Sequence, residues 1–332
     1  MALFSAREAA ASSPLMRAGR ALVPVEPHVG LRGLALAKWP SGLIPHGRFE
    51  PDAALGPSLG RLGSLEVRLA TTGRDVRRAQ RLRFKVFYDE RAAAPNPAAL
   101  VLRRDRDRYD AVCDHLLVLD HDVARTPFRA AGPAIVGTYR LLRQEVAERR
   151  SGLYSSHEYD VAPLLAAHPG LRFLELGRSC VLKPYRTKRT VELLWRGVWA
   201  YVRHHKIDVM LGCASFEGVD PDAHSLPLSF LHHRARAPEP WRARAHPERA
   251  VAMDRIGPEA IDPKAALKAL PPLIKGYLRL GAMVGEGAVV DHQFGVTDVL
   301  IILPVAAISR RYVDHFGPAE DRHSLKGLRP PL

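Results

Sequence analysis

Two charged residues interrupt an otherwise apolar stretch of the chain, FLELGRSCVLKPYR at residues 173–186. Glu175 and Arg178 lie there among phenylalanine, leucine, cysteine and valine, as in a buried strand. A buried charge is costly unless it is paired or used. A carboxylate on such a strand can accept a proton from an attacking amine, and an α-amine, with a pKa of about 8, must lose one before it reacts. Arg178 can hold a substrate carboxylate through its planar guanidinium, or it can pair with Glu175 so that both residues only stabilise the strand.

The elements that would position this stretch alternate between strands and helices. Helical periodicity follows Thr72, which has the capping-box spacing to Asp75, and returns at about residues 190–204. Besides the stretch itself, the predicted strands are 65–70, 115–120, 134–142 and 208–216. This order predicts an α+β fold of the GNAT N-acyltransferase type, with a mixed central sheet flanked by helices. In that fold a strand leads into a turn whose amides hold the acyl donor's phosphate at a helix N-terminus.

A basic turn, YRTKRT at residues 185–190, follows the stretch at the place of that phosphate turn. Thr187 and Arg189 stand where a turn that binds coenzyme A would carry glycines to wrap a pyrophosphate. A phosphopantetheine arm on a carrier protein has a single phosphodiester and needs less backbone wrapping and more surface charge. Arg186, Lys188 and Arg189 therefore predict a site for that phosphate and for an acidic carrier protein. An ordinary basic helix start would carry the same residues.

The composition limits the classes of partner and compartment. The chain has 332 residues and a formal net charge of +14, so we expect it to attract anions such as nucleic acid, an anionic membrane or an acidic protein. Aromatic residues make up only 7%, without a stacking motif, so nucleic-acid binding would rest on charge alone and is not expected. Three widely spaced cysteines indicate neither disulfides nor a zinc site, and we expect no metal. No signal peptide or membrane-spanning run is evident, which predicts a cytoplasmic protein, at most peripheral at the inner face of the membrane.

Four motifs in order, LRFKVFYDE, YDAVCDHLLVLD, IVGTYRLL and ELGRSCV, resemble the ornithine lipid N-acyltransferases, which are GNAT-like and related to the acyl-homoserine lactone synthases. The tail LPPLIKGYLRLGAMVGEGAVVDHQFGVTDVLIILP resembles the same family and its hemolysin-annotated relatives. The resemblance covers residues 65–317. It implies transfer of a 3-hydroxyacyl group from acyl carrier protein to the α-amine of L-ornithine, giving lyso-ornithine lipid, with no bound cofactor.

The same resemblance assigns roles along the first helix and the strand of Arg140. Arg83, Phe87 and Glu90 match the first-helix motif and are expected to face the site, although Phe87 would also fit a core position. Arg140 matches a strand arginine that could hold the substrate carboxylate, and Glu175 and Arg178 match the ELGR motif.

The acidic loop before the second strand supplies the remaining candidates. The distal ammonium of ornithine requires a carboxylate, and Asp110 or Asp114 is the predicted partner. His115 either orients one of these carboxylates or is a structural histidine.

The predicted domain organisation is simple. We expect a poorly ordered extension at residues 1–62, an acyltransferase domain with a C-terminal extension at 63–317, and a tail at 318–332. Residues 224–249 mix apolar and basic side chains, as would an acyl-pocket cover, a membrane-facing flap or a surface insertion. The basic, amphipathic residues 264–282 predict contact with an anionic membrane.

Several other functions are open at this point. An acyl-homoserine lactone synthase would use S-adenosylmethionine with the same kind of donor, and an N-acyltransferase could act on a different amino acid. A membrane-active, hemolysin-like protein is the alternative from outside the enzymes.

Overall fold

A computed structural model describes residues 55–91, 93–123, 132–150 and 152–308. Most of the predicted N-terminal extension and all of the predicted tail lie outside these residues. The described residues form twelve strands: β1 (Gly60–Leu62), β2 (Leu65–Leu69), β3 (Asp114–Asp120), β4 (Ala134–Arg143), β5 (Tyr159–Asp160), β6 (Phe173–Val181), β7 (Val209–Glu217), β8 (Arg244–Ala245), β9 (Ala250–Val251), β10 (Met283–Val284), β11 (Ala288–Asp291) and β12 (Val296–Pro304). They also form eight α-helices: α1 (Gly73–Phe84), α2 (Pro97–Leu102), α3 (Gln144–Glu148), α4 (Ala162–Ala167), α5 (Lys188–His204), α6 (Ser225–Ala235), α7 (Pro263–Ala269) and α8 (Pro272–Arg279).

Ten of these strands form one mixed sheet, in the order β1-β2-β3-β4-β6-β7-β12-β11-β9, with β10 paired to β12. Neighbouring strands are antiparallel except for β6 and β7, which run parallel. Strands β5 and β8 form a separate two-stranded ribbon. The predicted α+β architecture with a mixed central sheet is confirmed.

The parallel strands β6 and β7 separate part of the way along their length. They pair only from Phe173 with Val209 to Glu175 with Leu211, although both strands continue for several residues. Gly212 lies where they separate, and a Cβ there would stand 2.2 Å from the carbonyl oxygen of Leu176. The separation opens the sheet between its two halves.

Helices cover both faces of the sheet. Strand β3 shows the alternation: Leu116 and Val118 pack toward α5, whereas Leu117 and Leu119 pack toward α1. Gly197 in α5 lets that helix approach closely, because a Cβ would lie 2.6 Å from Val67 and 2.8 Å from Leu116. We name these two sides the α5 face and the α1 face.

The predicted elements match the observed ones closely through β7. Thr72 is the N-cap of α1, and its side chain accepts a hydrogen bond from the amide of Asp75. One difference is that α1 continues as a π-helical turn at Lys85–Asp89, a form often found at functional sites. Because this turn changes the periodicity, the predicted shared face of Arg83, Phe87 and Glu90 does not persist.

The C-terminal part differs more from the expectation. Leu228 and Leu231 of α6 are buried in the core, and Ala237 and Ala243 beyond it are buried too. Residues 224–249 are therefore part of the folded body, so the alternative of a surface insertion does not hold. A role of this segment in covering the acyl pocket or facing a membrane stays a prediction. Residues 264–282 form α7 and α8, which bury Ile274 and Tyr277 against the sheet. No helix in the described part of the chain is both long and apolar enough to cross a membrane.

Candidate active site

A β-bulge in β6 sets the position of Arg178. In the pairing with β4, Gly177 lies opposite Arg140 and Cys180 lies opposite Thr138. Two residues of β6, at positions 178 and 179, therefore face the single β4 residue at position 139. Arg178 is one of the two and has a left-handed φ of +51°. Bulges re-aim side chains near active sites. Here the bulge lies just beyond the point where β6 and β7 separate.

A cleft of about 810 Å³ lies on the α1 face beside this bulge, with Arg178 in its wall. The Arg178 guanidinium lies 4.2 Å from the ring centroid of Phe294 and 5.0 Å from that of Tyr154. Its Nη2 donates to the Tyr154 hydroxyl at 3.2 Å. The aromatic rings hold the guanidinium by cation–π contact and leave it beside the cleft. The charged and aromatic side chains of the wall include Tyr88, Asp105, Asp107, Tyr154, Glu158, Arg178, Arg249 and Asp291.

Three arginines and three aspartates form a network behind one wall of the cleft. Arg83 donates to Asp105 and to Asp110, each at 2.8 Å. Arg140 contacts both carboxylate oxygens of Asp107 through Nη1, at 2.6 and 2.7 Å.

Arg178 joins the same network, with its Nη2 3.5 Å from Asp107 and its Nε 3.6 Å from Asp105. The formal charges of the six side chains cancel. The neighbouring arginines, Arg83 and Arg140, outweigh burial and lower the pKa of Asp110 to about 2.

The network brings together several of the residues that were predicted to form a site with the stretch at residues 173–186. Arg83, Asp110 and Arg140 are buried in it, so they position the wall and do not line the cleft. His115 is also buried, and its Nε2 donates to the carbonyl oxygen of Asp110. Burial lowers the pKa of His115, which favours a neutral ring and the structural alternative.

The aspartates that do line the cleft are ones that the sequence analysis did not select. Asp105 and Asp107 belong to the loop RRDRDRYD, between α2 and β3. The alternation of aspartates and arginines in this loop is the feature of the sequence that could have identified them as site residues. Asp114, selected instead, lies on the α5 face, where the Tyr201 hydroxyl donates to it at 2.5 Å. Because side chains alternate along β3, Asp114 and His115 point to opposite faces, and the structure does not bring Asp114 to the cleft.

Glu175 lies on the α1 face but is only 4% exposed and does not line the cleft. Its oxygens accept hydrogen bonds at 2.6 Å from the backbone amides of Tyr154 and Ser155, and one at 2.5 Å from the Ser155 hydroxyl. Burial raises the pKa of Glu175, and the hydrogen bonds from Ser155 and Tyr154 oppose that rise. No ion pair joins Glu175 to Arg178 among the described residues, so the alternative of a simple buried pair does not hold.

The predicted donor residues lie at the start of α5, beyond the end of β6. Thr187 caps the helix by accepting from the amide of Thr190. Lys188 is exposed and lies 3.4 Å from Glu192. Arg186 donates to Glu90 at 2.5 Å, so Glu90 contacts the donor turn and not the aspartate network.

A second group of acidic side chains lines another part of the cleft wall. Glu158 and Asp291 contribute to the lining, and Asp298 lies directly behind them. Oxygen atoms of the three carboxylates lie within 4.8 Å of one another. We call these three residues the acidic cluster.

The diverging strands, the bulge and the cleft together define an N-acyltransferase of the GNAT type, and the model of the Acetyltransferase (GNAT) domain family matches residues 82–196. The curated relatives specify the family further. The L-ornithine N(alpha)-acyltransferase of Rhizobium meliloti is 56% identical over 80% of this chain and 88% of its own length. The enzyme of that name from Brucella abortus is 56% identical over 80% of this chain and 92% of its own. The enzyme from Rhodobacter capsulatus is 41% identical over 76% and 95%.

The chain belongs to the L-ornithine N(alpha)-acyltransferase family. Among solved structures, it is similar to FeeM, an N-acyl amino acid synthase from uncultured soil microbes, with 13% identity, a TM-score of 0.39, and coverage of 73% of this chain and 91% of that one.

Proposed function

We propose that this protein transfers a 3-hydroxyacyl group from acyl carrier protein to the α-amine of L-ornithine. The observation that carries the proposal is the match to named L-ornithine N(alpha)-acyltransferases at up to 56% identity. A cleft whose wall offers carboxylates from two groups of residues and one arginine at the bulge suits an amino acid with two amines and one carboxylate. The thioester is expected in the gap between β6 and β7, next to this cleft.

The reaction requires from the protein a base for the amine proton and a partner for the substrate carboxylate. The neutral α-amine attacks the thioester carbonyl, the C–N bond forms and the C–S bond breaks. The proton lost by the amine passes by way of a base to the departing thiolate. Arg178 is the proposed partner of the substrate carboxylate, because it lies in the cleft wall and its fork can bind a carboxylate through two hydrogen bonds.

Glu175 remains the proposed proton acceptor, and its burial sharpens the test. In Glu175→Gln, the new side-chain amide would direct an NH₂ group at a backbone N–H that now donates to the carboxylate. We therefore expect this variant to lose stability as well as roughly 10²-fold in turnover. If Glu175 is the general base, the turnover rate of the wild type falls at low pH because Glu175 becomes protonated. The variant should not show this fall. If the folded variant keeps the wild-type pH–rate profile at a reduced rate, Glu175 only positions the turn at Tyr154–His157.

We propose that the donor is held electrostatically at the start of α5. Arg186, Lys188 and Arg189 surround the helix N-terminus, where free amides favour a phosphate. No glycine is available there to wrap a pyrophosphate closely. A carrier-bound donor should therefore be used in preference to the same acyl group on coenzyme A.

We also propose a peripheral membrane contact at α2. Its Leu100, Val101 and Leu102 are exposed, and α2 contributes to the mouth of the cleft. Arg103 follows directly and pairs with Asp89 at 2.8 Å, so the exposed apolar side chains carry this proposal. Co-sedimentation with anionic vesicles tests this contact, and Val101→Asp should weaken it without reducing activity on a soluble acceptor.

The test of the function uses purified protein with 3-hydroxyacyl carrier protein and one amino acid at a time. We expect an N(alpha)-acylated product with ornithine, detected by mass spectrometry. Homoserine-lactone product with S-adenosylmethionine, or no acylation of ornithine, would overturn the proposal.

A further inference from the structure

The acidic cluster joins the C-terminal extension to the acyltransferase core. Glu158 follows the turn at Tyr154–His157, whereas Asp291 and Asp298 come from the β11–β12 hairpin. Asp291 pairs with Val296, two residues before Asp298, so both aspartates share one face of the hairpin. Two separate parts of the chain therefore bring carboxylates to one point on the cleft wall.

The cluster has unmet capacity for hydrogen bonds. Glu158 is 3% exposed and Asp298 is 6% exposed. Glu158 Oε2 and Asp298 Oδ1 are buried and have no hydrogen-bond partner within the described residues. The nearest ion-pair contact is long, with Arg249 Nη2 4.0 Å from Glu158 Oε1. The Cys213 thiol is a neighbouring donor to Glu158, and the Ser215 hydroxyl is one to Asp298. The two oxygens named above remain open to an incoming cation or hydrogen-bond donor.

The arginine–aspartate network is the opposite case. Asp107 and Asp110 already contact Arg140 or Arg83 at 2.8 Å or less. A substrate ammonium there would have to compete with a guanidinium that is fixed in place. Among the described residues, the ion-pair contact of the acidic cluster is the 4.0 Å one from Arg249 to Glu158, so the cluster is the better partner for an incoming ammonium.

We propose that Glu158, Asp291 and Asp298 form the binding site for the distal ammonium of the acceptor amino acid. The inference rests on the proposed function and names the part of the site that selects ornithine. An ammonium has three N–H donors and matches three convergent carboxylates. With Arg178 holding the carboxylate elsewhere in the cleft wall, the two ends of the acceptor are fixed and its α-amine stays close to the bulge. The C-terminal hairpin then has a specific purpose, because it supplies two of the three ligands.

The test compares ornithine with norvaline, which has the same carbon chain without the distal amine. A site built to pair a charge rejects an analogue that lacks it, so the wild type should prefer ornithine by roughly 10²-fold or more in kcat/KM. Glu158→Gln and Asp298→Asn should each lower kcat/KM for ornithine at least about tenfold and leave the value for norvaline nearly unchanged. Asp160→Asn, an exposed carboxylate two residues from Glu158, is the matched control and should behave as the wild type.

The outcomes separate this inference from the function it rests on. If the wild type does not acylate ornithine, the proposed function is wrong. If it does, but Asp298→Asn and Glu158→Gln keep the full preference for ornithine over norvaline, the ammonium site lies elsewhere. Asp298→Asn removes one of several neighbouring negative charges, so we expect it to fold, and a thermal melt would check this. The test can then be made with Asp298→Asn alone if Glu158→Gln does not fold.

A divalent cation is the competing occupant of three carboxylates. We expect EDTA to leave the wild-type rate unchanged and added Mg²⁺ or Ca²⁺ to have no specific effect. Loss of activity in EDTA, restored by Mg²⁺ or Ca²⁺ in the wild type but not in Asp298→Asn, would show a metal site and contradict the proposal.

Discussion

At the scale of residues, the two walls of the cleft treat their carboxylates differently. Asp110 lies against Arg83 and Arg140, and its pKa is lowered to about 2. Asp298 lies beside Glu158 and Asp291, and burial together with these like charges raises its pKa to about 7. The first wall is already neutralised, whereas the second can accept positive charge at neutral pH.

This difference predicts a pH dependence that is specific to ornithine. Burial and then Glu158 raise the pKa of Asp298 most, Asp291 adds to the rise, and Ser215 and Arg178 oppose it. Only its ionised form attracts an ammonium, so KM for ornithine should fall as the pH rises through about 7. KM for norvaline should not show this change. Both acceptors carry an α-amine, so the titration of that group cancels in the ratio of their KM values. If this ratio does not change with pH from 6 to about 8, Asp298 does not bind the distal ammonium.

At the scale of elements, α5 connects the donor turn to the sheet, and its position depends on Gly197. Gly197→Ala adds a methyl group within 3 Å of both Val67 and Leu116. Alanine favours a helix by about 1 kcal/mol over glycine, but overpacking costs about 1–3 kcal/mol, so we expect net destabilisation. Gly276→Ala in α8 is the control, because nothing lies within 4 Å of its Cβ and only the helical gain remains. Urea unfolding would measure both, and equal stabilisation of the two variants would disprove the close contact.

The elements also show what could be predicted from the sequence. Strands β2, β3, β4, β6 and β7 alternate or are continuously apolar, and Thr72 marks the start of α1, so their order and the fold class followed from local pattern. The two-residue strand β5 was not predicted. The β11–β12 hairpin was not predicted either, because β12 is buried on both faces and reads only as an apolar run. The bulge at Arg178 depends on the register with β4, which no local pattern reveals.

The site was predictable in part for the same reason. Arg140 and Arg178 are charges within apolar segments, so the sequence indicates a special role for them. Arg83 lies among other basic residues of α1 and was selected through the family resemblance. Glu158 and Asp298 become neighbours only through the sheet order, which places β12 beside β7. These two residues are 140 positions apart in the sequence, so no short motif contains both of them.

At the scale of the whole molecule, the net charge of +14 favours an acidic partner, and the donor turn offers a place for it. Lys188 is 86% exposed on its side chain. Exposed charges are screened beyond about 10 Å at 0.1 M salt, so salt should raise the apparent KM for the carrier-bound donor. Lys188→Glu with Arg189→Glu should do the same, by about tenfold, whereas Lys264→Glu with Lys268→Glu on α7 should not. Insensitivity to both salt and charge reversal, with equal use of acyl-coenzyme A, would contradict a carrier-protein donor.

The central claim concerns the product. The most direct measurement is mass spectrometry of lipids from a host that makes no ornithine lipid, expressing this protein with its native carrier protein and fed isotope-labelled ornithine. We expect a new labelled lipid with one 3-hydroxyacyl chain in amide linkage to the α-nitrogen, absent from cells that express Arg178→Ala. A folded, expressed protein that yields no labelled lipid, or a lipid built on a different amino acid, would contradict it.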